Sequence, residues 1–345
     1  MDAPPDLTVV VLSWNTRDLT LRALAAAAPA CAPYRARVVC VDNASDDGTV
    51  AAVRARLPHV RVVENAENVG FARGNNAAMG ALEGRHVVFL NSDTEAAPGS
   101  LGAVVTYLDA RPAVGVAAPP LVGEDGLPQR SAWGFPTALA MLHQYTPLGW
   151  FGVGRRATRR QRDVGRGART GPVEAVSGAA MVVRRDLAER LGGFDPGYPF
   201  YFEDVDLCWR ARRAGAEVHF VADAPAVRHV GGASTGPLDR RLRLPLLVGA
   251  VRFQRKRLGP LAFGAFAGLF VLGVVARSLW EIVRAPVVAP LRRLRGHPER
   301  ARRTGDVARA RLRFLERDVA ALLRSTARPR ERAVTRPAVV SDRAG

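Results

Sequence analysis

The apolar run Leu7–Leu12, which reads LTVVVL, is the stretch that decides the fold class. Unbroken aliphatic and β-branched residues predict a strand that is covered on both faces, as the strands of a parallel sheet are. Helical segments alternate with three further runs of this kind, Arg37–Val41, Val60–Val63 and His86–Leu90. This order predicts an α/β protein with a doubly wound, mostly parallel central sheet.

Composition and charge divide the chain into unlike parts. A hydrophobic share of 48% excludes a disordered chain, and 345 residues suffice for two or three domains. Residues 236–345 hold 25 Arg or Lys against 8 Asp or Glu, and thus nearly all of the formal charge of +18. We therefore expect a near-neutral domain over residues 1–236, an apolar and basic helical region over residues 237–300, and an Arg-rich helix with a disordered tail over residues 301–345.

Cysteine usage and the N-terminus predict a location in the cytoplasm. Cys31, Cys40 and Cys208 include no C-x-x-C pair, which disfavours both a disulfide framework and a structural zinc site. The first residues lack the basic and apolar regions of a secretory signal.

Polar residues follow the predicted strands directly, at the sheet edge where ligands of open α/β sheets bind. Asp42 lies at such a strand end, where its carboxylate can accept hydrogen bonds from a base imide N–H or a ribose hydroxyl. The following turn through Thr49 is equally compatible with a simple helix cap. No G-x-G-x-x-G or Walker motif is present, which disfavours dinucleotide-dependent hydride transfer and P-loop chemistry.

A second strand end carries Asn91-Ser92-Asp93. One aspartate here can anchor a divalent cation with its bound diphosphate, because such cations prefer carboxylate and phosphate oxygens. Asp93 could instead cap a helix. His229 closes another strand-like segment, where an imidazole can reach a metal or lie in the core.

Aromatic and acidic residues meet in the run Phe200–Leu207, which reads FYFEDVDL. Acidic side chains at a helix start stabilise the helix dipole. Beside an aromatic wall, however, a carboxylate is partly desolvated and becomes basic enough to act as a general base. The pattern alone does not separate Glu203 from Asp204 in that role.

The segment Leu258–Ala276 contains no charge over 19 residues and is flanked by arginines on both sides. Its length just reaches a membrane span, but basic residues at both ends favour a helix that lies in the membrane surface or re-enters it. A buried core helix is the alternative. We expect membrane contact through residues 240–300.

These motifs, in this order over residues 7–235, resemble the family 2 inverting glycosyltransferases of type-A fold, in particular the bacterial rhamnosyltransferase-like branch. The resemblance implies a Rossmann-like, mostly parallel sheet flanked by helices, here followed by a helical membrane-associating extension. It also implies that Asp42 binds the nucleotide base with Asn15 nearby. The implied donor-binding residues are Asn15, Asp42, Asn43, Asp47, Asn68, Gly70, Phe71, Asn76, Asn91 and Ser92.

The resemblance further assigns the metal and the base. Asp93 matches the second acidic position of the family's D-x-D-type motif, whereas Asn91 replaces the first. The missing carboxylate makes a second ligand such as His229 more necessary for binding Mg²⁺ or Mn²⁺. Asp204 is the implied catalytic base, with Glu203 as the fallback.

The implied reaction transfers a sugar from a nucleotide diphosphate donor. The first candidate donor is dTDP-rhamnose, and UDP-sugars are the next candidates. The acceptor is a hydroxyl of a lipid-linked or polysaccharide molecule of the cell envelope, and the enzyme works at the cytoplasmic face of the plasma membrane. A nucleotidyltransferase is the nearer alternative, but it would carry a Gly-rich basic loop where Ser13–Arg17 stands. A nucleic-acid-binding protein would explain the basic C-terminal third but not the carboxylates at strand ends, so no nucleic-acid partner is expected.

Overall fold

An eight-stranded mixed sheet forms the centre of the protein in the computed structural model, which describes residues 4–163, 169–230 and 244–327. All four strands predicted from the first hundred residues are present. The strands are β1 Leu7–Ser13, β2 Ala36–Asp42, β3 Arg61–Glu64, β4 His86–Asn91, β5 Thr94–Ala96, β6 Val114–Ala118, β7 Leu121–Val122, β8 Pro128–Gln129, β9 Ala132–Trp133, β10 Gly171–Pro172, β11 Ala175–Val176, β12 Ala180–Arg184, β13 Glu217–Phe220 and β14 Val227–His229.

The central sheet has the order β10-β13-β6-β12-β4-β1-β2-β3. β1 pairs in parallel with β2 and β4, and β2 pairs in parallel with β3, as the alternation of strands and helices predicts. β12 runs antiparallel to both β4 and β6, so the sheet is mixed beyond its first four strands. β5, β14, β7 and β8 form a separate four-stranded sheet, and β9 pairs with β11.

Twelve α-helices lie in the described part of the chain. Short 3₁₀ turns at Met79–Ala81 and Pro147–Phe151 and a π-helical stretch at Phe314–Asp318 supplement them. The helices are α1 Arg17–Ala30, α2 Thr49–Arg56, α3 Gly70–Asn76, α4 Ser100–Asp109, α5 Ala138–Tyr145, α6 Arg155–Asp163, α7 Arg185–Leu191, α8 Glu203–Arg213, α9 Leu244–Arg257, α10 Pro260–Leu294, α11 Pro298–Arg313 and α12 Val319–Thr326.

The core lies on both faces of the central sheet. One buried cluster contains Val9 and Val11 of β1, whereas Val10 points to the opposite face, as the two-residue period of a strand requires. The cluster on the Val10 face also includes Phe253 of α9 and Phe270 of α10. The first C-terminal helices therefore share a hydrophobic core with the sheet.

The Arg-rich C-terminal segments are helical where the structure describes them. After residue 297 the described chain forms α11, the π-helical stretch and α12. The predicted disordered tail lies outside the described residues, because they end at residue 327.

Candidate active site

The register of the sheet brings the ends of distant segments together at one edge. Ser13 of β1 pairs with Asp42 of β2, and Leu12 pairs with Asn91 of β4. The amide N of Asn91 donates to the carbonyl of Ala179, which directly precedes β12. Neighbouring strands are about 4.8 Å apart, so this row of four strand ends spans roughly 15 Å.

Asp42 lies at one end of this row with only 2% of its surface exposed. Its Oδ2 accepts a hydrogen bond from the amide of Ser45 at 2.8 Å. Its Oδ1 is buried and has no hydrogen-bond partner among the residues that the structure describes. A buried acceptor without a partner costs free energy, so this oxygen is suited to a donor from a ligand.

Asn15 and Asp47 shape the loop around Asp42. Asn15 has a left-handed backbone with φ of 51°, its side-chain oxygen accepts from the amide of Asp46, and its own amide donates to Ser45 Oγ. Asp47 accepts from the amide of Arg17 at 2.8 Å and from the amide and hydroxyl of Thr49. Both predicted donor-binding residues therefore lie beside Asp42 and order its surroundings.

Asn43 orders the loop that follows β3. Its side-chain nitrogen donates to Asn68 Oδ1 at 3.0 Å and to the carbonyl of Gly70 at 3.2 Å. Its side-chain oxygen accepts from the side chain of Asn65 and from the amide of Val69. Asn43 thus connects the loop after β2 to the loop that leads into α3.

The start of α3 packs on aromatic residues of the region before α8. Gly70 has a φ of +82°, and a Cβ there would lie 3.2 Å from the carbonyl of Pro199. The Phe71 ring meets Phe194 edge-on at 5.6 Å. At the end of α3, Asn76 donates to the carbonyl of Phe194 at 2.7 Å and accepts from its amide at 2.9 Å. These three predicted donor-binding residues join two loops at the site.

The predicted metal pair comes together through the small sheet. His229 pairs with Thr94 in the β14–β5 ladder, which places its Nε2 3.5 Å from Asp93 Oδ1. Asp93 precedes strand β5, so it does not cap a helix. Gln129 donates to the carbonyl of His229 at 2.9 Å, and its Oε1 lies 2.8 Å from His229 Nδ1. Because this amide oxygen can only accept, Nδ1 is the donor in this contact, and Nε2 is the ring nitrogen that faces Asp93.

A carboxylate and an imidazole held in this way fit a divalent cation that also takes phosphate oxygens. Asn91 adds a buried Oδ1 without a hydrogen-bond partner in the described part of the chain. Ser92 Oγ lies 3.0 Å from Thr16 Oγ1 and joins this strand end to the loop after β1. Within the described ranges, no three His, Cys, Asp or Glu side chains form a group that could hold a metal ion by themselves.

Asp204 and Glu203 start α8 next to a strained backbone. Tyr201 and Phe202 have φ values of 69° and 74°, an unfavourable conformation for bulky residues that is concentrated at functional sites. Asp204 Oδ2 accepts from the amide of Gly178 at 3.1 Å. A Cβ at Gly178 would lie 3.2 Å from that of Asp204, so the close approach depends on glycine.

The two carboxyls differ in their surroundings. Burial and the neighbouring Asp204 charge raise the pKa of Glu203 well above its ordinary value, and its Oε2 has no hydrogen-bond partner among the described residues. Burial also raises the pKa of Asp204, but hydrogen bonds from the amides of Gly178 and Val205 oppose that rise. The arrangement therefore favours a protonated Glu203 beside an Asp204 that can ionise.

An ion network that was not predicted from the sequence joins α8 to α9. We call it the α8–α9 ion network, and its members are Asp195, Asp206, Arg210, Arg252 and Lys256. Lys256 Nζ lies 2.5 Å from both Asp206 Oδ1 and Asp195 Oδ2. Arg252 contacts both oxygens of Asp195, and Arg210 Nε lies 2.7 Å from Asp206 Oδ2. The network attaches α9 to the helix that carries Asp204.

One sequence signal points to this network. Lys256 is the single lysine among 50 basic residues, in a chain that otherwise uses arginine. The compact ammonium of a lysine fits between two carboxylates more easily than the larger, planar guanidinium of an arginine. Arg210 binds Asp206, which lies four residues before it on the same helix.

Comparison with known proteins identifies the family. A model of the family described as "Glycosyltransferase like family 2" matches residues 4–243, more than half of the chain. The chain belongs to this family. The resemblance seen in the sequence motifs is thereby confirmed.

Relatives of known name agree with the rhamnosyltransferase branch. The N-acetylglucosaminyl-diphospho-decaprenol L-rhamnosyltransferase of Mycobacterium tuberculosis is 31% identical over 208 residues, which cover 56% of this chain and 66% of that protein. The chain thus matches slightly less than two thirds of that relative's length. Rhamnosyltransferase WbbL of Escherichia coli is 40% identical over 57 residues, which are 16% of this chain and 22% of that protein.

The predicted fold class is also confirmed. The structure is similar to that of the mannosyltransferase PcManGT of Pyrobaculum calidifontis in complex with GDP-Man and Mn²⁺, with a TM-score of 0.52 and 20% identity. The similarity covers 91% of this chain and 89% of that chain. This family 2 member therefore has the type-A glycosyltransferase fold with a C-terminal helical extension.

The buried Glu203 should make stability depend on pH. Its folded-state pKa lies above its unfolded value, so the free energy of unfolding falls as pH rises from about the unfolded pKa towards the folded one. We expect Glu203→Gln to raise the Tm at neutral pH by about 2 °C or more, and this gain should disappear near pH 4. Thermal unfolding from pH 4 to pH 8 measures it. Glu124→Gln, at an exposed carboxylate, is the control and should leave the Tm unchanged, whereas a lower Tm for Glu203→Gln at neutral pH would contradict the assignment.

Removal of Lys256 should weaken the protein more than removal of an exposed ion pair. Lys256→Met takes a charged donor from Asp206, a fully buried carboxylate, and we expect a loss of about 1.5–3 kcal/mol in the free energy of unfolding. Arg54→Met, which breaks the exposed pair with Glu64, should cost less than about 1 kcal/mol. Urea unfolding compares the two, and equal losses would show that the α8–α9 ion network does not stabilise the fold.

Proposed function

We propose that this protein is an inverting glycosyltransferase that moves rhamnose from dTDP-rhamnose to a hydroxyl of a lipid-linked acceptor in cell-envelope glycan synthesis. The observation that carries the proposal is the row of strand ends at one edge of the sheet. Asp42 ends β2, and Asp93 follows β4 and lies beside His229 of β14. Asp204 contacts Gly178, which lies just before β12, and β12, β4 and β2 belong to the same sheet. The identity to rhamnosyltransferases supports the choice of sugar.

The donor nucleotide is proposed to bind at the Asp42 end. The unpartnered Oδ1 of Asp42 is suited to an imide N–H of the base, and Asn15 and Asp47 hold the surrounding loop. The loop fixed by Asn43 and Asn68 extends the pocket towards the aromatic residues around Phe71. The base is therefore recognised at β2 and the sugar is directed towards α8.

Asp93 and His229 would hold the Mg²⁺ or Mn²⁺ that accompanies the diphosphate, with Asn91 and Ser92 beside them. A divalent cation at this point neutralises negative charge that develops on the leaving diphosphate. Gln129 holds the His229 ring in the orientation that presents Nε2. The donor set of this chain thus compensates for the asparagine in place of the first acidic residue of the metal motif.

Asp204 is the proposed general base, and Glu203 is not. Asp204 is half-buried and its carboxylate is stabilised by two backbone amides, whereas Glu203 is buried. Asp204 takes the proton of the acceptor hydroxyl while that oxygen attacks the anomeric carbon on the face opposite to the diphosphate. The product then has the inverted configuration.

A nucleotidyltransferase is less compatible with the loop after β1. A basic side chain there would have to face a triphosphate. Arg17 instead donates to Asp18 Oδ1 at 3.1 Å and to the carbonyl of Asp47 at 3.5 Å. Arg17, the one basic residue in Ser13–Arg17, therefore binds residues of its own surroundings.

The division of roles along the chain is part of the proposal. Residues 1–236 bind the donor and carry the chemistry, and residues 237–300 attach the enzyme to the cytoplasmic face of the membrane. Among the described residues, α10 is long and apolar enough to cross a membrane by length and composition. Trp280 of α10 and Trp150 are half exposed and lie together, with ring centroids 5.9 Å apart, and tryptophan is enriched at membrane interfaces.

Incubation of the purified protein with dTDP-, UDP- and GDP-sugars and Mn²⁺ tests the function. A glycosyltransferase releases the nucleoside diphosphate slowly in the absence of acceptor, and the release from dTDP-rhamnose should exceed that from the other donors. Release of inorganic diphosphate from a nucleoside triphosphate would instead support the nucleotidyltransferase.

Replacement of the base should separate chemistry from binding. Asp204→Asn is expected to lower turnover by about 10²-fold or more, because a general base contributes about 10²–10⁴ to rate. Binding of the donor, measured by thermal shift, should change little because Asp42, Asp93 and His229 remain. Glu203→Gln is the matched variant and should retain most of the activity. Turnover of Asp204→Asn near the wild-type rate would refute the role of Asp204.

Membrane attachment should depend on the apolar surface of α10. Leu272 and Val283 are 70% and 69% exposed, and Leu272→Gln with Val283→Gln should shift the protein from the membrane fraction towards the soluble one. Leu127→Gln with Leu139→Gln changes two exposed leucines elsewhere and is the control. Unchanged membrane recovery of the α10 variant would contradict attachment through this helix.

A further inference from the structure

A cavity with a basic lining lies between α10 and α11. The two helices form a hairpin joined at residues 295–297, and the cavity between them has a volume of about 240 Å³. That is room for several water molecules. Five arginines and one glutamate contribute to its wall: Arg277, Arg284, Arg292, Arg303, Arg311 and Glu281.

Basic side chains dominate this wall. Among the described residues that line the cavity, Glu281 is the one carboxylate, and it accepts a hydrogen bond from Arg284 three residues later. Arg311 is only 5% exposed, although it carries a guanidinium. Like charges repel strongly where water is displaced, so a bound anion would lower the free energy of this arrangement.

Neutral oxygens help to hold the guanidiniums in place. Arg292 donates to Thr304 Oγ1 at 2.6 Å, and Arg277 donates to the carbonyl of Gln144 at 2.8 Å. Thr304 is itself buried and donates to the carbonyl of Arg300. Guanidiniums that are fixed in this way lose little conformational entropy when they bind a phosphate, which they can contact with two parallel hydrogen bonds.

The position of the cavity on α10 relates it to a lipid surface. With about 100° per residue, Arg277, Glu281 and Arg284 lie within one arc of the helix. A second arc, whose centre lies about 120° away around the helix, carries exposed apolar side chains, which are Leu272, Leu279, Trp280, Val283, Val287 and Leu294. With that arc in the acyl region, the cavity would face the phosphate side of the membrane surface.

We propose that the cavity between α10 and α11 binds a phosphate group, supplied by an anionic phospholipid headgroup or by a free phosphate. The headgroup source rests on the proposed membrane attachment, whereas the phosphate chemistry of the cavity does not. The site lies on the C-terminal helices and is separate from the diphosphate position at Asp93.

Adjacent arginines provide a matched test on the full chain. Arg292→Gln with Arg303→Gln removes two charges from the cavity, and Arg293→Gln with Arg302→Gln removes two charges one residue away, outside its lining. A second pair, Arg303→Glu and Arg302→Glu, reverses one exposed charge in each case and breaks no hydrogen bond to Thr304. Circular dichroism verifies that each variant is folded.

Two measurements distinguish the sources of the phosphate. Calorimetric titration uses inorganic phosphate, and flotation uses vesicles of phosphatidylcholine with or without phosphatidylglycerol. We expect the cavity variants to weaken binding by about tenfold or more and the control variants by less than about twofold. A selective loss in flotation alone supports the headgroup, and a selective loss in the titration supports a free phosphate.

Equal effects of cavity and control variants in both measurements would overturn the proposal, as would wild-type protein that binds in neither. If the wild type and all variants float equally on anionic vesicles, the membrane attachment stands and the cavity proposal fails. If the wild type does not float but binds phosphate through the cavity arginines, the attachment fails and the cavity proposal stands.

Discussion

The parallel register of β1 with β2 and β4 is the constraint on which the site depends. It aligns Ser13 with Asp42 and Leu12 with Asn91, so that residues far apart in the chain lie at the same edge of the sheet. A shift of the ladder by one residue would turn every side chain to the other face of the sheet. The buried valines of β1 prevent such a shift, because they must alternate between the two halves of the core.

The four-stranded sheet and the α8–α9 ion network position the remaining candidate site residues. The β14–β5 ladder brings His229 beside Asp93, and the α8–α9 ion network attaches the helix that carries Asp204 to α9. Asp206 is fully buried, so it depends on Lys256 and Arg210 for its charge balance. Breaking a buried pair is costly even where its formation adds little net stability, and the network therefore fixes the position of α8 more than it adds to stability.

The sequence predicted the local and periodic features well and the long-range charge contacts poorly. The apolar runs at Leu7–Leu12 and His86–Leu90 form β1 and β4. Such uninterrupted aliphatic runs are typical of strands whose two faces are both covered by helices. Candidate residues such as Asp42 were found because they directly follow such runs. The pairing of His229 with Gln129 and of Lys256 with two aspartates depends on tertiary packing, which no local spacing encodes.

We infer that Asp42 and the Asp93–His229 pair bind one donor, whose sugar then lies beside the base Asp204. A crystal structure of the full chain with dTDP and Mn²⁺ tests it most directly. We expect the thymine at the Asp42 carboxylate and the cation at Asp93 and Nε2 of His229, with the diphosphate between the thymine and α8. A cation bound away from both Asp93 and His229, or a nucleotide bound away from the carboxyl edge of the sheet, would contradict it.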